Sequence, residues 1–241
     1  MAEQPRSSTT EVENRSRFSP GEAEEDDRRQ GEDDKSESGL EVGRFIAAVP
    51  TVVDEAFDSP EWLFEIVEEG LPVLIIAGSE PEIRTRLGRN VSRYFPELTE
   101  AIRSLPPSTV LDANVICRSR QDAAHERIWM TDHEIQIASE RNPCLAVAHD
   151  VLAIAGEDYR AGTIAARRDA LAGLLSGLRA SIELAIVAEN NGVELVQLAV
   201  HHNASGVLAK RKGTYYPGRL TRSWKFIPCN GRELLVVGGY Q

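Results

Sequence analysis

Residues 57–76 read Phe57-Asp58-Ser59-Pro60-Glu61-Trp62-Leu63-Phe64-Glu65-Ile66-Val67-Glu68-Glu69-Gly70-Leu71-Pro72-Val73-Leu74-Ile75-Ile76. Leu63–Ile66 and Leu71–Ile76 have strand length and strand composition, and a short acidic connection ending in Gly70 separates them. The run from Leu71 to Ala77 is the longest apolar stretch of the chain, and it falls far short of a membrane span.

Outward from this pair, further strand candidates are Thr109–Cys117, Leu145–Ala148, Ile182–Val187, Gly206–Lys210, Trp224–Ile227 and Leu234–Val237. Helix candidates are Glu97–Ser104, Ala123–Ser139, Thr163–Leu178 and Val193–His201. In the third, Ile164, Leu171, Leu174, Leu175 and Leu178 fall on one helical face. Pro106-Pro107 and Asn142-Pro143 punctuate the chain between elements. Mixed order without regular βαβ alternation predicts an α+β fold.

The 241 residues carry 27 Lys+Arg and 38 Asp+Glu, a formal charge of -11, which argues against non-specific nucleic-acid binding by the whole chain. The charge is uneven. Residues 1–40 hold 12 acidic and 6 basic side chains and one aromatic, Phe18, too little apolar surface to offset chain entropy. They are expected to form a disordered acidic tail; an arm that engages a basic partner or covers a basic face is the functional alternative. Residues 203–241 are basic, with seven cations against Glu233 alone, so a polyanion would be met there. The other reading of that segment is a solvated Arg-rich hairpin region.

Lysine is scarce: Lys35, Lys210, Lys212 and Lys225 are the full set. Cys117, Cys144 and Cys229 are widely spaced and odd in number, which predicts reduced thiols rather than a disulfide framework or zinc site. The polar N-terminus lacks the apolar core of a secretory signal, so a soluble cytoplasmic protein with no membrane partner is expected. No G-x-G-x-x-G, P-loop or H-E-x-x-H occurs. Adjacent His201 and His202 point about 100° apart on a helix and read as a solvated pair, not as metal ligands. His149-Asp150, after a strand candidate, reads as a turn or a satisfied polar pair.

Several segments, in order, resemble the adenylation (nucleotidyltransferase) domain of ATP-dependent DNA ligases, especially the bacterial end-joining type, over about residues 45–240. They are Phe57–Ile66, Tyr94-Phe95-Pro96-Glu97-Leu98, Leu105–Asp112, Val147–Leu152, Ala155-Gly156-Glu157-Asp158, Gly206–Arg211, Tyr216-Pro217-Gly218-Arg219, Trp224 and Val237-Gly238-Gly239-Tyr240. The resemblance implies antiparallel β-sheets flanked by helices in residues 41–241, and a setting in DNA repair and recombination. It also implies chemistry in which a lysine amine attacks the α-phosphorus of ATP to form lysyl-AMP, with Mg²⁺ and cations stabilising the charge. The chain ends where a complete ligase would continue into an oligonucleotide-binding barrel, so that domain is expected to be absent.

The residues that carry this chemistry are replaced. The family's K-x-D-G-x-R stands here as Val67-Glu68-Glu69-Gly70-Leu71-Pro72, with Val67 for the nucleophile and Pro72 for the ribose-holding arginine. No lysine lies between residues 36 and 209 to substitute, and arginine is not an alternative nucleophile. Asn114 and Ser205 take the places of two metal-associated carboxylates and are weaker Mg²⁺ ligands. Phe226 and Pro228 replace two lysines near the α-phosphate, and Lys225, one place off, should face the other side of its strand. No catalytic or metal residue is therefore assigned.

The matching subset offers candidate nucleotide or phosphate contacts: Gly70, Arg86, His149 (in place of the adenine-stacking aromatic), Asp150, Lys210 and Arg211. For Gly70 and Asp150 the alternative is turn or packing; for Arg86, Lys210 and Arg211 it is solvation. Candidate DNA contacts are Arg219, Arg222 and Lys225. The expected function is an inactive ligase-like domain that binds nucleotide or DNA weakly, or serves a full-length ligase or another end-joining protein. ATP and Mg²⁺ would be its cofactors only if family function is retained. The competing reading is an active ATP-dependent ligase that joins DNA breaks through an enzyme-AMP intermediate.

Overall fold

The computed structural model describes residues 45–120, 123–177 and 181–229. The expected acidic tail, the Leu234–Val237 strand and the Val237–Tyr240 motif lie outside the described residues. Strands β1 (Val49–Val52), β2 (Ser59–Val67), β9 (Val187–Asn190), β10 (Gly206–Arg211) and β11 (Leu220–Pro228) form a five-stranded sheet in the order β1-β11-β10-β2-β9. The second sheet runs β4-β3-β5-β6-β7, from β3 (Leu71–Ile76), β4 (Glu82–Thr85), β5 (Val110–Ile116), β6 (Leu145–Ile154) and β7 (Glu157–Asp158); β8 (Ile182–Leu184) pairs with β6 in parallel. Most pairings are antiparallel, and the fold is α+β, as the sequence predicts.

Strand alternation decides what each sheet shows to the other. In β2, Phe64 and Ile66 pack with Val207 and Ala209 of β10 beneath helix α5 (Gly192–His201), through Leu195 and Ala199. Glu65 and Val67 therefore face the second sheet. In β3, Val73 and Ile75 join Leu98 and Ile102 of α1 (Pro96–Arg103) and Leu171 of α4 (Ile164–Leu175). Leu74 and Ile76 turn the opposite way and meet Leu208 and Trp224 of the first sheet, with Val110 and Leu152 alongside. This inter-sheet layer is the floor on which the cleft is built.

Four expectations need correction. The helix expected over residues 123–139 is two, α2 (Ala123–Arg127) and α3 (Asp132–Arg141), because Thr131 and Glu134 form a capping box that starts a new helix. Ile182–Val187 is not one strand: β8 belongs to the second sheet and β9 to the first. The strand expected to stop at Ala148 continues to Ile154, and His149-Asp150 lies inside it rather than in a turn. Finally, Cys117 and Cys144 are joined in a disulfide. Pairing of Ile116 with Leu145 in the β5–β6 ladder places the next residue of each strand side by side, so cysteines 27 apart in sequence are neighbours.

Candidate functional site: a cleft between the sheets

A cavity of about 410 Å³ opens between the two sheets. The alternation described above sends β2, β3, β5, β10 and β11 side chains into it from both walls. Val67, Pro72, Asn114, Ser205, Phe226 and Pro228 all line it, so positions spread over 160 residues of sequence converge on one cleft. Among the described residues that line it, none is a lysine.

Two of the replacements have local partners. The Asn114 side-chain amide donates to the Glu68 carbonyl oxygen at 2.7 Å, and the Ser205 hydroxyl donates to Glu69 Oε2 at 2.8 Å. The connection after β2 is thus tied to both sheets by neutral donors. A carboxylate at residue 205 would face Glu69 and repel it. Gly70, which follows, is required by close approach: a Cβ there would collide with the Val115 carbonyl and Ile116 side chain.

Beneath the cleft lies a buried ionic cluster. Lys210, 1% exposed, places Nζ 3.1 Å from the Glu65 carboxylate, 2.6 Å from the His149 carbonyl oxygen and 3.4 Å from Asp150 Oδ2. The same ammonium sits 4.4 Å from the centre of the Trp224 ring, within cation–π range. Asp150 is held by two bonds from buried Arg167, at 2.7 and 3.0 Å. Burial would raise the Glu65 carboxyl, but Lys210 and the His149 contact outweigh it and lower the pKa to about 2. On the neighbouring wall, Tyr216 donates to Asp112 Oδ2 at 2.6 Å. Burial raises the Asp112 carboxyl, against the opposing pull of Arg86, and burial with Asp112 nearby pushes the Tyr216 hydroxyl well above its usual range.

His149 links this cluster to the cleft. The β5–β6 register pairs Asp112 with Asp150 and Ala113 with Ala148, leaving His149 as the extra residue of a bulge. A bulge re-aims a side chain, and here the ring crosses toward β2, with Nδ1 3.0 Å from Glu65 Oε2. It also lines the cavity, and its buried Nε2 has no hydrogen-bond partner among the described residues. Trp224 also lines the cavity, and its Nε1 is buried with no hydrogen-bond partner among the described residues.

The candidate contacts fall into separate groups. Gly70, Arg86 and His149 line the cleft, whereas Asp150 and Lys210 lie under its floor and are saturated by each other and by Arg167 and Glu65. The strand parity of Lys210 turns it inward, to two carboxylates and away from the cleft lining. Arg211, one residue on, is exposed and pairs with Glu61 at 3.2 Å. Arg219 and Arg222 are exposed. Lys225 faces away from Phe226 and rests over the Phe57 and Trp62 rings at 4.7 and 4.8 Å. Sequence reading missed Glu65, Asp112, Arg167 and Tyr216; charged residues inside strand patterns, such as Glu65 in Leu-Phe-Glu-Ile, were the available signal.

The lining does not fit ATP and Mg²⁺. Arg86 is opposed by Glu68, Glu69 and Asp112, no ammonium reaches the cavity, and Asn114 and Ser205 are neutral donors engaged with Glu68 and Glu69. Among the described residues no group of three His, Cys, Asp or Glu side chains converges as a metal site.

Comparison with known proteins places the fold. The chain is 32% identical over 151 residues to DNA ligase C of Mycobacterium tuberculosis, covering 60% of this chain and 40% of that protein. It is 26% identical over 187 residues to the multifunctional non-homologous end joining protein LigD of Pseudomonas aeruginosa, covering 75% of this chain and 21% of that protein. The chain thus spans less than half the length of these relatives. A mycobacterial DNA ligase D solved in complex with ATP and MES superposes with a TM-score of 0.62 at 22% identity, over 78% of this chain and 62% of that one. Residues 46–227 match the family described as the ATP dependent DNA ligase domain, and the chain belongs to that family.

Proposed function

We propose that this chain is a ligase-family domain that does not form an enzyme–adenylate, and that it acts by non-covalent binding in a DNA repair and end-joining setting. The observation that carries this reading is the cleft wall at residue 67. Val67 stands where the resemblance puts the attacking lysine, and valine has no nucleophilic atom. Lys210, under the cleft floor, is clamped between Glu65 and Asp150 and carries its charge into that cluster. These contacts hold the Lys210 side chain in the buried cluster and away from the cleft lining.

The substitutions are mutually consistent. Asn114 and Ser205 serve the Glu68-Glu69 connection, and Phe226, Pro228, Pro72 and Val67 supply an apolar lining. Such agreement supports a cleft rebuilt for another use over one merely decayed. DNA contact through exposed Arg219 and Arg222, or docking to a complete ligase or another end-joining protein, are the roles in which a non-adenylating domain would serve. Transfer of label from α-labelled ATP to the protein in the presence of Mg²⁺ tests the reading: no labelled protein is expected, and stoichiometric labelling would refute it.

A further inference from the structure

A second cavity, of about 210 Å³, shares only Arg86 with the lining of the cleft among the described residues. Its floor is core: Phe45, Leu74 and Ile76 are buried in the layer between the sheets. Its rim is not, since Ile46 is 49% exposed and Leu87 94% exposed. Small-molecule sites run from about 300 to 1,000 Å³, so this cavity suits one bulky side chain rather than a cofactor.

Leu87 is held outward by a closed turn. The Gly88 amide donates to the Thr85 carbonyl at 2.8 Å and the Thr85 amide to the Arg89 carbonyl at 2.9 Å, with Gly88 at φ 81°. Beneath the turn, the Val91 amide donates to the carbonyl of buried Ile83. Scattered exposed apolar side chains are ordinary on a soluble protein. Two on one cavity, one of them at the tip of a fixed turn, make a contact surface.

The surroundings are cationic. From Pro81 to Pro96 the chain carries Arg84, Arg86, Arg89 and Arg93 against one carboxylate, Glu82, which Arg84 binds at 2.6 Å. Arg84 and Arg86 line the cavity, and Arg89 closes the turn beside it with its side chain exposed. Arg93 is more distant in role: it rests over the Tyr94 ring and reaches exposed Asp132 at 3.7 Å. At physiological salt, charges more than about 8 Å away are largely screened, so this local excess outweighs the net charge of the chain. A DNA duplex would satisfy the arginines, but its stacked bases leave the apolar cavity without a partner. An acidic peptide can satisfy both.

We infer that the turn 85–89 and the cavity beside it dock an acidic peptide segment of a partner protein. One bulky apolar side chain enters between Ile46 and Leu87, and flanking carboxylates meet Arg84, Arg86 and Arg89. This supplies a surface for the docking role proposed above and stands whether or not the cleft adenylates, so the labelled-ATP experiment and the titration below fail separately.

Fluorescence anisotropy of the full chain with the labelled peptide DEDLFDED tests the inference, with DEDAADED and KKKLFKKK as controls. DEDLFDED is expected to bind at least about tenfold more tightly than either control. Leu87→Ser should weaken that binding by about tenfold and leave the far-ultraviolet spectrum unchanged, since the side chain is exposed. Arg86→Glu combined with Arg89→Glu should weaken it by about tenfold or more and flatten its salt dependence. No binding of DEDLFDED, equal binding of DEDAADED, or full affinity in Leu87→Ser would overturn the inference. A short DNA duplex bound more tightly than the peptide and weakened by Leu87→Ser would assign the surface to DNA. Self-association abolished by Leu87→Ser would assign it to a second copy of the chain. Either of these also overturns it.

Discussion

Glu65 and His149 face each other from opposite sheets, Oε2 to Nδ1 at 3.0 Å, across 84 residues of sequence. Their contact fixes both the separation of the two cleft walls and the orientation of the imidazole. Lys210 completes the link, bonding the side chain of one and the main chain of the other. The charge cluster is a structural joint, and most of what the domain tolerates follows from it.

Removing the ammonium leaves Glu65 and Asp150 as facing buried anions. Lys210→Met should destabilise the fold by about 3–5 kcal/mol, the range for a buried pair that loses one partner. Urea unfolding followed by fluorescence of Trp224 and the other tryptophans measures this. A loss below about 1 kcal/mol would mean that the cluster is solvated in solution.

The same cluster sets the acid limb of stability. The Glu65 pKa falls from 4.5 unfolded to about 2 folded, so its contribution is complete above pH 4.5 and disappears as pH drops toward 2. Asp112 runs the other way: its pKa is raised, the folded state holds that proton more tightly, and acid favours the fold through this group. Thermal midpoints measured from pH 6 down to 2 should fall, by the equivalent of a few kcal/mol. In Glu65→Gln the starting stability is lower and the fall shallower. Parallel curves for the two proteins would contradict the assignment.

Gly206 starts β10 where the two sheet strands flanking it approach the cleft. A Cβ there would collide with the Ile227 carbonyl and come within 2.6 Å of Phe226 Cζ. Gly206→Ala should cost about 1–3 kcal/mol by overpacking and displace the Phe226 ring. Gly173, on helix α4, has nothing within reach of an added Cβ, so Gly173→Ala should be stabilising, by a few tenths to about 1 kcal/mol. Denaturation midpoints that move in the same direction for both variants would count against the packing described here.

The Cys117–Cys144 bridge closes a loop of 27 residues that contains α2 and α3. Chain-entropy arguments put its contribution at about 3–4 kcal/mol. The purified protein should release one thiol, Cys229, to a thiol reagent under denaturing non-reducing conditions, and Cys117→Ser should lower the urea midpoint accordingly. Three reactive thiols in the oxidised preparation would contradict the bridge.

How far the sequence could be read depended on how local each cause was. Leu71–Ile76 and Gly206–Lys210 are apolar, β-branched runs, and both strands appear with nearly those bounds. β4, Glu-Ile-Arg-Thr at a sheet edge, has only Ile83 to bury and gave no apolar signal. β6 was cut short because His149 and Asp150 are polar, and what makes them core residues is Glu65, Arg167 and Lys210, none of them close in sequence. Val67 was legible because the strand before it is. Asn114 and Ser205 read from sequence only as losses; their hydrogen bonds to Glu68 and Glu69 depend on strand registers that no single segment reveals. The Cys117–Cys144 pairing likewise depends on the β5–β6 register, which spacing alone does not show.

Whether this ligase-family cleft forms lysyl-adenylate is decided by intact mass after incubation with ATP and Mg²⁺, with and without prior treatment with pyrophosphate to reverse any adenylation carried through purification. The unmodified mass is expected throughout. The same is expected for Val67→Lys, because Asn114 and Ser205 still stand where the resemblance puts carboxylates, and Pro72, Phe226 and Pro228 where it puts cations. A stable gain of one AMP by the unaltered chain would contradict the non-adenylating reading.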